Sequence, residues 1–303
     1  MTAKRTFLYL LPVVLAVAAA GFLASRSFSA SETTVAALIG ETHFHGLAVD
    51  PRDPDRLYLA THHGLFVVGP DGKAHRVSDS EDDYMGFTPH PTDSELLYAS
   101  GHPAGGGNLG FIVSRDGGKS WSKLADGVGG PVDFHQMDVS KVDPAVVYGV
   151  FGDLQRSADG GRSWTRVGPA PEGLIALAAS GKEADRLYAA TRGGLMLSTD
   201  GGRRWRAAHL LRTPATSVHV TSDGTVYAFI VGTGLIRTTE PDLRWSTLGS
   251  GFGDAYVLHL AAAPDAETHR LYAVTLDPNT RAQALHVSRD GGRRWSRLGA
   301  EPG

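Results

Sequence analysis

An eight-residue pattern that recurs along the chain constrains its fold more than any other feature. The pattern is Ser-x-Asp-Gly-Gly-x-x-Trp; its intact copies end at Trp121, Trp164, Trp205 and Trp295, and a degenerate copy covers residues 238–245. Successive tryptophans are 40 to 50 residues apart. Self-similarity at such a period indicates a repeat architecture, in which each copy is one supersecondary unit packed on its neighbours.

A second recurring pattern indicates how many units there are. It is an apolar residue followed by tyrosine, and it occurs at Leu57-Tyr58, Leu97-Tyr98, Val147-Tyr148, Leu187-Tyr188, Val226-Tyr227 and Leu271-Tyr272. Six such pairs predict six units of about 43 residues each.

Each unit has the pattern of several short β-strands. In the fourth unit we predict strands over Leu174–Ala179, Arg186–Ala190, Gly194–Ser198 and Trp205–Ala207, with Gly, Asp and Pro between them. The octet then lies between the third and fourth strands, where its Asp caps turn amides, its glycines supply positive φ and its Trp packs between sheets. Four strands per unit are typical of a propeller blade, so we predict an all-β, six-bladed β-propeller of four-stranded blades.

Two segments are candidates for the strand that completes the last blade. Val35–Gly40 precedes the first unit at the place where other units have an outer strand, and Trp295–Leu298 follows the last octet. The sequence leaves open which terminus closes the ring.

The octets resemble the Asp boxes of BNR-repeat propellers. That group includes sialidases, the VPS10 domain of sortilin-type receptors, photosystem II assembly factors and exported bacterial proteins called glycosyl hydrolase-like. The resemblance covers residues 43–299 and implies that the boxes lie on the rim, away from the ligand face. It does not select a function, because the same propeller serves enzymes and pure binding proteins.

Residues 1–31 differ in composition from the rest of the chain. Lys4 and Arg5 precede an apolar run over residues 7–24, and small and polar residues follow it. This layout is typical of an export signal, and the run is also long enough for an uncleaved anchor. We expect a helical signal peptide or membrane anchor over residues 1–31 and a single propeller domain over residues 32–303. Either alternative predicts an extracytoplasmic protein, periplasmic or secreted, and the second adds a membrane tether through residues 7–24.

Composition excludes several classes of function. The absence of cysteine excludes disulfide frameworks, thiolate metal sites and a cysteine nucleophile, and it suits an oxidising compartment. A net charge of −3 without a long basic tract argues against nucleic-acid binding. Neither the opposed carboxylates of a glycosidase nor the arginine cluster and Tyr-Glu pair of a sialidase is evident, which disfavours an enzyme. We expect a monomer.

Histidine is concentrated in the first three units. The start of each first strand and the end of each second strand open on the same face of a propeller, beside the central channel. Asp82, Asp83 and Asp133 stand next to the histidines there. We predict a metal site with these ligands: His45, Met85 and His135 at equivalent inner positions, His62 and His102 as an outer pair, and His43 and His63 as auxiliaries.

The predicted ligand types favour copper. Imidazole accommodates Cu(II), and a thioether favours Cu(I), so a site with both kinds of ligand suits either oxidation state. Zinc would accept the histidines with an aspartate but has little use for Met85. Iron held by two histidines and one carboxylate is a third option.

Other hypotheses for the same face need no metal. A histidine at the top of an inner strand also forms hydrogen bonds with backbone and water, and Met85 could fill the core. The aromatic residues Phe44, Tyr84, Phe87 and Phe134 flank the same place and could equally form the floor of a pocket for a small organic ligand or bind a partner's peptide loop. The chain would then be a protein-interaction or assembly scaffold of the photosystem-factor type. A glycosidase-like hydrolase is the third hypothesis.

Overall fold

Each sequence repeat forms one antiparallel sheet, because short runs of β-branched, leucine and aromatic residues alternate with turns that contain Gly and Asp. The computed structural model describes residues 33–249, 251–263 and 269–299. The predicted signal or anchor segment over residues 1–31 lies outside these ranges. Within them, no helix has the length and apolar character needed to cross a membrane.

The first three blades come from consecutive segments of the chain. Two short elements precede them, β1 (Thr33–Thr34) and the helix α1 (Val35–Glu41). The strands of blades 1, 2 and 3 are, in chain order, β2 (Phe44–Asp50), β3 (Asp53–Thr61), β4 (Gly64–Val68) and β5 (Lys73–Arg76); β6 (Asp83–Pro89), β7 (Leu97–His102), β8 (Phe111–Ser114) and β9 (Ser122–Ala125); β10 (Gln136–Val139), β11 (Val147–Phe151), β12 (Asp153–Ser157) and β13 (Thr165–Pro169).

Blades 4 to 6 repeat the same order. Their strands are β14 (Leu174–Ala179), β15 (Leu187–Thr191), β16 (Gly194–Ser198) and β17 (Arg206–Ala207); β18 (Ala215–Val220), β19 (Thr225–Ile230), β20 (Gly234–Thr239) and β21 (Ser246–Gly249); β22 (Tyr256–Ala262), β23 (Leu271–Leu276), β24 (Gln283–Ser288) and β25 (Ser296–Arg297). The four strands predicted in the fourth unit are confirmed to within one residue at each end.

The first strand of every blade lies innermost. Each of these strands contacts the first strand of the next blade, and β22 contacts β2, which closes the ring. Together they line a central channel of about 300 Å³. The prediction of an all-β, six-bladed propeller of four-stranded blades is therefore confirmed.

The octets form the turns between third and fourth strands, as predicted. In blade 4, Asp200 Oδ1 accepts a hydrogen bond of 2.9 Å from the amide of Arg204. Gly202 has φ +90°, and a Cβ at this position would collide with Leu154 of blade 3, so only glycine fits there. Trp205 donates from its indole to the carbonyl of Gly202 and packs against the apolar cluster shared by blades 3 and 4.

The degenerate octet has replaced its aspartate by a residue that links two blades. Glu240 is buried and accepts hydrogen bonds from the Tyr188 hydroxyl (2.9 Å) and the Gly181 amide (3.1 Å), both in blade 4. Trp245 donates its indole hydrogen to the carbonyl of Ala208 (2.9 Å), in the connection from blade 4 to blade 5. This copy keeps the packing function of the box with different polar contacts.

The C-terminal segment, and not the N-terminal one, completes the last blade. Ser296–Arg297 forms the outer strand of blade 6, whereas Val35–Gly40 lies in the helix α1, so the hypothesis that it is an outer strand is wrong. Thr34 Oγ1 accepts from the Ala37 amide and begins the helix, because this bond satisfies an end amide that has no helical partner. Val35 and Leu38, one turn apart, are both fully buried. Upstream, β1 pairs with β5 and adds a fifth strand to blade 1.

Side-chain contacts hold the seam between blades 6 and 1, where the two ends of the repeat array meet. Gln283 accepts a hydrogen bond of 3.0 Å from the Phe44 amide, and His259 donates one of 3.1 Å to the Phe44 carbonyl. The Tyr272 hydroxyl donates to the carbonyl of Pro54, with a length of 2.8 Å. No strand pairing crosses this seam among the described residues.

Candidate functional site

Tight turns at the ends of second strands place two of the histidines. In blade 1, the hydroxyl of Thr61 donates to the carbonyl of Gly64 (2.9 Å) and accepts from the amide of His63 (3.0 Å). These bonds fix the turn that joins β3 to β4. The turn holds His62 at the end of the channel where β2 begins, beside His45.

The first cluster, here called the blade 1–2 triad, consists of His45, His62 and Asp83. His45 Nε2 lies 2.9 Å from His62 Nε2, and His62 Nδ1 lies 2.7 Å from Asp83 Oδ2. Asp83 Oδ1 is 3.9 Å from His45 Nε2, is buried and has no hydrogen-bond partner. The side chains are 15%, 29% and 17% exposed, respectively, so the cluster is largely enclosed.

Proton positions in this triad follow from the carboxylate, which only accepts hydrogen bonds. His62 therefore donates from Nδ1 to Asp83, and neutral His62 then has an unprotonated Nε2 that accepts from His45 Nε2. If the proton of His45 moved from Nε2 to Nδ1, a cation between the two rings would meet two imidazole lone pairs. A tetrahedral ion with bonds of about 2.0–2.1 Å needs donor atoms about 3.3 Å apart, a value between the 2.9 Å and 3.9 Å of this triad.

The second cluster, here called the blade 2–3 triad, consists of His102, Asp133 and His135. Asp133 Oδ2 lies 3.0 Å from His102 Nε2 and 2.6 Å from His135 Nε2. The Asp133 side chain is only 8% exposed, and its Oδ1 is buried without a partner, whereas the histidines are 40% and 50% exposed. His102 Nδ1 donates to the Gly107 carbonyl (2.8 Å), so in the neutral ring Nε2 faces the carboxylate with a lone pair.

The surroundings shift the pKa values of the two inner histidines in opposite directions. Burial, and then the nearby His62, hold the pKa of His45 well below its usual range, which keeps this ring neutral at neutral pH. The hydrogen bond with Asp133 raises the pKa of His135. His45 is therefore already neutral, which is the form that binds a metal. His135 is protonated in a larger fraction of molecules and must lose that proton before it can bind one.

The two predicted auxiliaries lie next to the first triad without joining it. The ring centres of His43 and His62 are 5.8 Å apart, in an edge-on arrangement. Burial lowers the pKa values of both His43 and His63, and the neighbouring His62 contributes to each shift. Their rings could complete the coordination of an ion held by His45 and His62.

The structure distributes the three predicted inner ligands among different places. His45 belongs to the blade 1–2 triad and His135 to the blade 2–3 triad. Met85 is buried in β6, two residues after Asp83. The predicted outer histidines are split as well, one in each triad: His62 beside His45, and His102 beside His135.

The sequence prediction places Asp83 and Asp133 beside the histidines but not among the ligands. In the structure, each of these carboxylates links two blades within its triad. Asp83 and Asp133 both lie two residues before the position shared by Met85 and His135. Each lies beside the histidine at the end of the second strand of the preceding blade: Asp83 accepts from His62, and Asp133 Oδ2 lies 3.0 Å from His102 Nε2. An Asp that recurs in two units, two residues before this shared position, is the sequence signal that identifies the two carboxylates.

The channel continues the site toward the middle of the propeller. His45, His135 and His259 line it at the end where the triads lie. Desolvation lowers the pKa of His259 to about 4, and deeper in the channel it lowers the pKa of His219 to about 4 as well. These rings are neutral at neutral pH.

Comparisons with known proteins agree with this architecture. The family described as BNR/Asp-box repeat matches residues 112–123. A xyloglucanase of Paenibacillus sp is 28% identical in an alignment 291 residues long, which covers 83% of this chain and 26% of the xyloglucanase. The chain thus spans about a quarter of that relative's length.

Two solved structures show the same fold. The GH74 enzyme of Niastella koreensis superposes with a TM-score of 0.60 at 16% identity, over 84% of this chain and 45% of the enzyme. YCF48, solved with a D1 peptide, superposes with a TM-score of 0.52 at 15% identity, over 88% of this chain and 84% of that one. With its recurring octets in the turns between third and fourth strands, this chain is a six-bladed β-propeller that matches the BNR/Asp-box repeat over residues 112–123 and is similar in fold to the GH74 and YCF48 propellers.

Proposed function

We propose that this propeller is a binding protein for a divalent transition metal ion, held at the channel end of blades 1 to 3. One observation carries the proposal. Two imidazole Nε2 atoms stand 2.9 Å apart next to a buried carboxylate oxygen that has no partner. A buried carboxylate oxygen left unpaired is costly, and a cation removes that cost.

The donor set favours copper in its oxidised state as the first candidate. Two imidazoles and a carboxylate suit Cu(II), Zn(II) and Fe(II), and for the same ligands Cu(II) binds most tightly of the three. Cu(I) would require a thioether in addition, which only Met85 could supply among the predicted ligands. Three protein ligands leave at least one coordination position free, so the site can serve either carriage or chemistry on the ion.

The test is elemental analysis of the purified protein, followed by titration with Cu(II), Zn(II) and anaerobic Cu(I) against a competing chelator. We expect near-stoichiometric Cu(II), with affinity reduced at least about a hundredfold in the H45A/H62A double variant because both nitrogen ligands are gone. H75A is the matched control, since His75 is exposed on β5 of the same blade. Equal retention by H45A/H62A and H75A would overturn the proposal. Loss of Cu(I) binding in M85A alone would assign the thioether a role.

A protein-interaction scaffold is the second candidate, supported by exposed apolar residues at the same edge of the sheets. Phe151 is the last residue of a second strand, as is His102, and His62 directly follows another second strand. Leu210 and Leu211 lie in the connection that enters blade 5. YCF48, which binds a D1 peptide, has a similar fold. This hypothesis predicts that partner capture survives in H45A/H62A and is lost in L210S/L211S.

A glycosidase is the third candidate, supported by the sequence similarity to a xyloglucanase. The test is release of reducing ends from xyloglucan, and from other β-glucans, by the whole chain. Activity abolished by D83N or D133N would favour it over the binding hypotheses. We also propose, from residues 1–31, that the protein acts outside the cytoplasm; cell fractionation tests this.

A further inference from the structure

The second triad has features that differ from those of a retention site. Its two histidines are 40% and 50% exposed, whereas those of the blade 1–2 triad are 15% and 29% exposed. Its carboxylate, Asp133, is nonetheless almost fully buried, and its Oδ1 has no hydrogen-bond partner. A solvent-open pair of imidazoles around a desolvated carboxylate presents ligands to an arriving ion without enclosing it.

The two triads adjoin through blade 2. Asp83 of the first triad and His102 of the second are direct partners in the β6–β7 register. Paired residues in an antiparallel ladder have their Cα atoms about 5 Å apart. Blade 2 therefore contributes one residue to each triad at neighbouring positions of its two inner strands.

The two carboxylates lie in neighbouring blades, one in each triad, and each has a buried oxygen without a hydrogen-bond partner. A cation between them is attracted by both.

From these observations we infer that the blade 2–3 triad is a second metal site, weaker and faster to exchange, which captures a divalent ion and passes it to the blade 1–2 triad by ligand exchange. The inference rests on the proposed function, because it assigns His45 and His62 as the ligands that retain the ion. The ion keeps its oxidation state in the transfer. Neutral His45 offers its Nε2 lone pair by moving its proton to Nδ1, and only a ring that was protonated before the ion arrived releases a proton to water.

The test compares equilibrium and kinetics in the whole chain, with Cu(II) delivered from a chromogenic chelator. We expect wild type to bind two ions of unequal affinity. The H102Q/H135Q variant should bind one ion, with an affinity within about threefold of the tighter wild-type site, but load it at least about tenfold more slowly because the local concentration of cation falls. H75Q is the matched control for both measurements.

The outcomes separate this inference from the proposed function. If wild type retains no ion, the proposed function fails and the inference with it. If H102Q/H135Q loads its remaining ion as fast as wild type, or if wild type binds a single ion, the capture site is overturned while the proposed function stands. The single variant H135Q, whose side chain is half exposed, gives the same kinetic readout if the double variant unfolds.

Discussion

The two triads contain the same residue types, two histidines and one aspartate, yet they present opposite environments to an ion. In the blade 1–2 triad both histidines come from blade 1 and are enclosed, and the hydrogen bonds form a chain from His45 through His62 to Asp83. In the blade 2–3 triad the two histidines come from different blades and both point at one oxygen of Asp133. Enclosure, and not residue type, thus distinguishes the clusters: burial lowers the pKa of His45, whereas the hydrogen bond to Asp133 raises the pKa of His135.

The largest effect on metal affinity is expected when the Asp83 carboxylate is replaced by an uncharged amide of the same size. The same replacement at Asp133 is the comparison. D83N should weaken retention of the tightly held ion about 10–100-fold, because it removes a candidate oxygen ligand and the group that orients His62. D133N should leave that affinity within about threefold, since Asp133 belongs to the other triad. Competition titration against a chelator measures both. Similar losses in the two variants would mean that the triads form one site.

An effect of intermediate size is expected in the pH dependence of folding of the metal-free protein. The pKa of His45 is lowered in the folded state, so the unfolded chain binds more protons and stability falls as the pH drops below about 6.5. H45Q should reduce this loss, whose slope for a single proton is at most about 1.4 kcal/mol per pH unit. Urea unfolding between pH 4.5 and 7.5 measures it. His219 and His259 add losses of the same sign that remain in the variant.

His135 should show the opposite sign in the same experiment. Its pKa is raised in the folded state, so its ion pair with Asp133 stabilises the protein below about pH 6.5 and is lost as the pH rises through the raised pKa. As the pH falls from 7.5 to about 6.5, H135Q should therefore lack the gain in stability that this pair gives wild type, and below pH 6.5 the two slopes should agree. A variant profile that keeps this gain would contradict the assignment of the pair.

The smallest effect is expected from the exposed ion pair itself. In D133N the pKa of His135 should fall, because its hydrogen bond to a carboxylate and the nearby negative charge both disappear. Histidine NMR titration of the metal-free protein measures the shift. The stability change at pH 6 should stay below about 1 kcal/mol, since the His135 side chain is half exposed and solvent screens its charge. An unchanged titration would show that Asp133 does not accept from this ring.

The fold was largely predictable because its determinants are local and repeated. Glycines at positive φ, the capping aspartate and the packed tryptophan recur within eight residues, so each copy independently specifies the same turn. The outer position of the last blade was open because Val35–Gly40 has no strand-specific pattern. There the burial of Val35 and Leu38, one turn apart, decides for a helix, and it depends on tertiary contacts.

The site was predictable as a region but not as a set of contacts. Strand alignment brings His45, His62, His102 and His135 to one end of the channel, where the structure has them. How they divide into triads depends on contacts between blades, which alignment within a blade does not contain. Gly86, at φ +57°, lets blade 2 approach the Phe134 carbonyl of blade 3 closely, and such an approach leaves no periodic signal.

The seam between blades 6 and 1 contains one backbone amide whose hydrogen exchange reports separation of the two blades. The Phe44 amide donates to a side chain, Gln283, and not to a neighbouring strand, so it is freed for hydrogen exchange whenever the two blades separate. The ladder amides of blade 1 stay protected in that event. Blades 6 and 1 can therefore separate at their seam while the blade 1–2 triad keeps its geometry. Exchange at a single amide then reports how often a closed propeller becomes an open one.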